Sequence, residues 1–179
     1  CVLHETWIAE ARAYLDAHPK VAAVCARRRE EHVGQTLFNS LIDIDWDIAP
    51  GAVPYIGGDA LVRFEAVDDA GGWSTALIAG EEPDLCFRMR KLGWTIERLD
   101  REATLHDVAM RGFGQYWRRS VRSGHAYAEV GGRHRDSVGR PWLRMALGNV
   151  VYGMVLPVAA AIGAWWSWLI PVGAALLYL

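Results

Sequence analysis

The sequence predicts an α/β layer structure followed by a membrane-embedded portion, and two observations carry that prediction. Helix-periodic segments alternate with short apolar or alternating runs through the charged part of the chain. From Met145 to Leu179 there is no Asp, Glu, Lys, Arg or His, so every formal charge of the 179 residues lies before that point. A content of 52% hydrophobic and 22% charged residues excludes a disordered tail. A net charge of −2 and a pI near 6.3 exclude a globally basic binder, so no nucleic-acid partner is expected.

Taken in order, Thr6 to His18 reads as an amphipathic helix, with Trp7, Ile8, Ala11 and Leu15 at helical spacing, Thr6 as its cap and Pro19 after its end. Val21 to Cys25 is an apolar run suited to a buried strand, and Arg27 to His32 a charged, exposed connection. Thr36 to Trp46 suits either a helix or a strand, and Pro50-Gly51 breaks it. Val62 to Val67 leads into Asp68-Asp69 and the turn signal Gly71-Gly72. Ala79 to Gly93 contains a helix with Leu85, Met89 and Leu92 on one face and Gly93 at its end. Trp94 to Leu99 alternates as a strand, Ala103 to Leu105 is a short β-like run, and Phe113 to Glu129 reads as a long helix.

The uncharged stretch from Met145 would be roughly 50 Å long as one helix at ~1.5 Å per residue, against about 30 Å of bilayer core. A first span from about Met145 to Trp165 and the start of a second are therefore expected. Pro157 and Pro171 are candidate kinks, and Trp165, Trp166 and Trp168 form a headgroup-level cluster. Arg111, Arg118, Arg119, Arg122, Arg133, Arg135, Arg140 and Arg144 precede the span against only Glu129 and Asp136. That excess marks the cytoplasmic side and suits anionic lipid, which predicts an inner-membrane protein with a cytoplasmic soluble part. Three domains follow: 1–110 soluble, 111–144 arginine-rich and interfacial, 145–179 transmembrane. Cys1 to Trp7 carry no signal-peptide pattern and Leu179 ends inside an apolar run, so the chain is expected to be an excerpt of a longer polypeptide. Cys1, Cys25 and Cys86 fit neither a disulfide framework nor a CxxC site, and are expected to be reduced thiols.

Chemistry-bearing residues cluster at a few points. Glu81, Glu82 and Asp84 bracket Pro83 at a helix start, where acids complement the helix dipole and where a carboxylate at a cleft mouth can take a proton from a hydroxyl. Gly57-Gly58-Asp59 is either a simple turn or a place where the backbone approaches a ligand closely. His106 ends a β-like run, placing an imidazole at a strand end. Gln115, Trp117 and Arg118 offer amide, aromatic and guanidinium groups to a sugar or phosphate, or face a membrane surface.

The ordered series GGDALVR (Gly57 to Arg63), AGEEPDLCFRMRKLGW (Ala79 to Trp94), LHDVAMR (Leu105 to Arg111) and FGQYWRRSVRSG (Phe113 to Gly124) resembles family 2 glycosyltransferases of the GT-A fold, in particular membrane-attached bacterial members. The resemblance covers nearly the whole chain. The family pattern Gly-Glu-Asp-x-Asp-Leu stands here as Gly80-Glu81-Glu82-Pro83-Asp84-Leu85, with Arg88 and Gly93 following. What it implies is an α/β fold comprising the C-terminal, acceptor-side portion of a GT-A (Rossmann-like) domain ahead of transmembrane helices. The implied activity is an inverting transfer of a sugar from a nucleotide diphosphate sugar to a hydroxyl acceptor, with a lipid or lipid-linked acceptor expected from the membrane anchor. The general base falls on Glu82 with Glu81 beside it, although Glu82 stands where Asp is usual, which leaves both carboxylates as candidates. Gly57, Gly58, Asp59, Asp84, Gln115, Trp117 and Arg118 fall on the acceptor side, and His106 on a position that completes a metal shell.

The resemblance also implies a divalent cation, Mn²⁺ or Mg²⁺, held mainly by an Asp-x-Asp motif outside these residues. Asp43-Ile-Asp45 and Asp45-Trp-Asp47 share that spelling, but their place in the chain does not suit the family. Of the Gln-x-x-Arg-Trp motif of processive members, Gln115 and Arg118 are present and Arg119 replaces Trp, so single-sugar transfer is at least as well supported as polymer synthesis. The excerpt alone is expected to bind donor poorly and turn over negligibly. The alternative functions are a non-catalytic membrane-associated adaptor and a sugar-binding module.

Overall fold

The structure is a computed structural model that describes residues 1–137 and 142–177; Arg140 of the arginine run and residues 178 and 179 lie outside them. Two compact units are present, Cys1–Ser123 and Gly124–Leu179. The first is mixed α/β.

Its centre is strand β2 (Val21–Glu30), which runs parallel to β5 (Thr95–His106). The remaining strands pair antiparallel: β1 (Val2–Leu3) and β3 (Gly51–Ala52) with β5, and β4 (Ala60–Val62) with β2. The sheet order is β1-β5-β2-β4, with β3 on β5. Residues 21 to 26 are buried on both faces of the sheet, which is why they read as an unbroken apolar run.

Helix α1 (Trp7–Ala17) covers one face, where Trp7, Ala11 and Leu15 meet Val24, Ala26 and Ala103. On the other face, Ala66 of α3 (Phe64–Asp69) and Leu85, Cys86 and Met89 of α4 (Glu81–Lys91) pack on Ala23, Cys25, Ile56 and Ile96. Each fully buried Leu or Met side chain here stabilises the fold by about 1.5–3 kcal/mol. Thr36 accepts from the amide of Asn39 and caps α2 (Leu37–Asp45), which resolves the ambiguous segment as a helix.

Four expectations need correction. Thr6 makes no side-chain cap for α1; it bonds instead to Nδ1 of His4 at 3.2 Å. Arg27 to Glu30 belong to β2 rather than to an exposed connection, because β5 pairs with them, past bulges on either side of Arg27, and acids neutralise the arginines. Arg29 meets Glu102 at 3.0 Å, Arg27 meets Asp47 at 3.3 Å, and Arg28 pairs with Asp59. The runs Trp94 to Leu99 and Ala103 to Leu105 are one strand, β5. Leu92 is 57% exposed, because α4 has ended at Lys91 and Gly93 (φ 91) turns the chain away from the helical face.

Helix α5 (Phe113–Arg133) crosses the boundary between the units. In the second unit, α6 (Leu143–Val150), a π-helical turn (Val151–Val155) and α7 (Leu156–Gly163) form one continuous 21-residue helix of mean hydropathy 1.8, long and apolar enough to cross a membrane. It begins two residues before the expected span. Turns through the exposed tryptophans 165 and 166 separate it from α8 (Leu169–Leu176), which at 8 residues is shorter than the ~20 a span requires.

Candidate functional site

Where the sheet meets the β3–β4 loop, a cleft is lined by Cys25, Arg28, Trp46, Tyr55, Asp59 and Arg98 together with Ile56 and Gly57. Arg28 organises it from β2. Its Nε donates to Asp59, its Nη2 donates to the carbonyl of Gly57 at 3.0 Å, and its guanidinium lies 5.0 Å over the Trp46 ring. Arg98 donates to the carbonyls of Ala26 at 3.2 Å and Trp46 at 3.1 Å, so a cation on each long strand holds Trp46 in place.

The loop Ile56–Asp59 turns through Gly57 (φ 73) and Gly58 (φ 105). A Cβ on Gly58 would lie 2.5 Å from Nη2 of Arg28. The close approach that the double glycine predicts is therefore an approach to Arg28. Helix α4 begins after Gly80 in the left-handed region (φ 87) and presents Glu82 to this loop. Oε1 of Glu82 accepts from the amides of Ile56 and Gly57, each at 3.0 Å. Burial raises its pKa, and this outweighs the two amide bonds and Arg28, which pull it down; the neighbouring Glu81 adds to the rise. One oxygen is thus fixed by the backbone, while Oε2 has no hydrogen-bond partner among the described residues. A half-buried carboxylate of raised basicity, with one oxygen immobilised and one free, has the attributes of a general base.

The remaining sequence candidates are dispersed. Glu81 is exposed at the helix start, consistent with dipole complementation. Asp84 is buried and accepts from Arg88 at 2.9 Å, while Arg88 also donates to the carbonyls of Ala70 and Gly72; the pair ties α4 to the turn after α3 and stands outside the cleft lining. Gln115 accepts from the amide of Arg111 at 2.7 Å and so caps α5. Trp117 and Arg118 are exposed, and neither lines the cleft. Asp43 is buried, accepting from the amide of Glu30 at 2.9 Å and lying 3.7 Å from Arg27, which makes the DxD spelling there a structural feature. Burial pushes the Cys25 thiol up to about 11 and the Cys86 thiol up to about 12, so both stay protonated and inert at neutral pH, and all three cysteines are free.

Sequence reasoning missed Glu30, Arg28 and Trp46. Glu30 is 3% exposed and gathers Nδ2 of Asn39 at 2.9 Å and the amides of His32 at 3.2 Å and Val108 at 3.0 Å. Its partners are up to 78 residues away, so no local spacing announces it.

His106 ends β5 opposite Glu30, its ring 5.6 Å from Trp46 and its Nδ1 buried without a hydrogen-bond partner. No group of three His, Cys, Asp or Glu side chains able to hold a metal ion occurs among the described residues. Compared with protein-family profiles and with curated proteins, the chain matches none.

Proposed function

We propose that this chain is the acceptor-side half of a membrane-attached, inverting glycosyltransferase of the GT-A type, moving a sugar from a nucleotide diphosphate sugar to a hydroxyl acceptor. The observation that carries it is Glu82, anchored through Oε1 to the amides of Ile56 and Gly57 beside the Asp59–Arg28 pair. In this reading Oε2 accepts the proton of the acceptor hydroxyl as its oxygen attacks the anomeric carbon and the nucleotide diphosphate departs. Trp46, whose ring Arg28 overlies, lines the cleft and offers it an aromatic edge for a sugar ring, and Asp59, already neutralised by Arg28, presents its carboxylate at the same cleft.

The divalent cation would neutralise the leaving diphosphate, held by carboxylates outside these residues with His106 at its edge. The apolar helix Leu143–Gly163 and the arginines before it support placing the cleft at the cytoplasmic face of the inner membrane, where a lipid or lipid-linked acceptor is at hand. Exposed Trp117, Arg118 and Arg119 on α5 favour, as a second reading, a membrane adaptor without turnover.

Glu82→Gln separates the two in the protein carrying its nucleotide-binding half. Loss of donor-dependent nucleotide diphosphate release, with membrane flotation intact, is the expected result. Unchanged release removes Glu82 as the base; absence of release from the unsubstituted protein favours the adaptor.

A further inference from the structure

Helix α2 keeps more apolar surface outside than inside. Its buried side carries Ile42 with Asn39 and Asp43, the last two tied to Glu30, whereas Leu37, Leu41 and Ile44 recur at one helical face and are 69%, 39% and 69% exposed. A helix whose outer face met only water would carry its polar residues there, so this arrangement calls for an apolar environment outside. The polar inner face is explained by Glu30; nothing within Cys1–Ser123 covers the outer one.

The same unit holds a second stripe. On α5, Phe113, Trp117 and Val121 are 63%, 59% and 55% exposed at successive turns, flanked by exposed Arg111, Arg118, Arg119 and Arg122. The two helices are joined: the Phe38 ring of α2 packs at a tilt 5.4 Å from that of Tyr116 and 6.5 Å from that of Phe113, and Oγ1 of Thr36 donates to the carbonyl of Met110 at 2.8 Å. Two apolar stripes thus belong to one piece of structure with a margin of arginines, and the chain continues from α5 into the helix Leu143–Gly163.

We propose that α2 and the first half of α5 together form a surface that lies in the headgroup region of an anionic bilayer, with Leu37, Leu41, Ile44, Phe113, Trp117 and Val121 inserted among the acyl chains. Charge selects this occupant. Arginines at the margin of an apolar face match lipid phosphates, and the short connection to an apolar helix holds the surface near a membrane. The inference rests on the reading that Leu143–Gly163 spans a membrane.

Spin labels at Ile44→Cys, Val121→Cys and, as a water-facing control, Glu65→Cys test it in a Cys1→Ser background, since Cys25 and Cys86 are buried. The whole chain is reconstituted in phosphatidylcholine vesicles with or without phosphatidylglycerol. Collision with dissolved oxygen should exceed collision with a water-soluble nickel chelate several-fold at positions 44 and 121, and the order should reverse at position 65. Joint Arg118→Glu and Arg119→Glu substitution should return position 44 to water in the anionic vesicles, although it lies on the other helix. In the unsubstituted chain, a lipid-borne diazirine should label peptides from both helices. Water-like accessibility at 44 and 121 in a chain that floats with the vesicles overturns the inference alone. Shielding from both quenchers means a protein, a second copy included, covers the face, and also overturns it. A chain that does not float overturns the membrane reading and the inference together.

Discussion

Asp59 accepts a hydrogen bond from Nε of Arg28, and this pairing clamps a loop of left-handed glycines onto the central strand. Both side chains are largely buried, so the attraction is little screened by water. The loop in turn supplies the amides that hold Glu82.

The two glycines of that loop should differ in their tolerance of a side chain. Gly57→Ala meets open space at φ +73 and should cost about 1–2 kcal/mol from backbone conformation alone. Gly58→Ala adds a Cβ 2.5 Å from Arg28 Nη2 at φ +105, so it should lower the unfolding midpoint further and weaken the Arg28–Gly57 bond. Equal midpoints for the two variants would contradict the clamp.

At Glu82, chemistry and stability should come apart. Glu82→Gln keeps an acceptor for both amides and should unfold near the wild-type midpoint, yet lose about 10²-fold or more in transfer rate. Glu82→Ala strands the Ile56 and Gly57 amides and should cost roughly 1–3 kcal/mol in addition. Equilibrium unfolding alongside nucleotide diphosphate release measures both.

The raised pKa of Glu82 has a definite sign in pH dependence. The folded state holds this proton more tightly than the unfolded chain, so the contribution is complete below the usual glutamate value and is lost as pH climbs through the folded value. Glu82→Gln should flatten that part of the stability profile. In the active protein the acid limb of the pH–rate curve should sit above the usual glutamate range and vanish in the same variant.

Glu30→Ala should be among the most damaging single changes in the first unit. It leaves Nδ2 of Asn39 and the amides of His32 and Val108 without their common acceptor, a loss of about 3 kcal/mol or more. Faster hydrogen exchange in the peptides containing His32 and Val108 would locate the damage.

In the apolar helix, Met154→Arg places a cation near the midpoint of Leu143–Gly163 and should raise the apparent insertion free energy by about 2.5–3.5 kcal/mol. A glycosylation-mapping insertion assay reads this directly; unchanged insertion would remove the helix as a span.

Much of this architecture is written in local pattern. Of the stripe Trp7, Ile8, Ala11 and Leu15, all but Ile8 are buried as helical spacing requires, as are Leu85 and Met89, and the apolar run from Val21 is the two-sided central strand; Ile8 faces outward at 49% exposure. What the sequence conceals depends on partners far along the chain. Arg27 to Glu30 look like a solvated connection until β5, Asp47, Asp59 and Glu102 arrive to pair with them. Gly57 and Asp59 in the cleft lining, and Gly58 and Glu82 behind it, announce themselves by residue type, whereas Arg28, Trp46 and Arg98 do not. Asp84 shows the opposite hazard: it belongs to the same motif as Glu82, and its four-residue spacing from Arg88 commits it to a tie within the fold.

The π-helical turn Val151–Val155 ends two residues before Pro157, whose ring nitrogen has no hydrogen to give the preceding turn. One surplus residue in such a turn rotates everything beyond it by about 100° relative to a uniform α-helix. The apolar rod therefore displays two differently aimed flanks, one on each side of Gly153. A neighbouring helix that follows a straight groove along the first flank loses its track at the step, so lateral association with such a neighbour is confined to one half at a time. Excising a single residue from this turn would realign the flanks and hand any such neighbour a continuous seam.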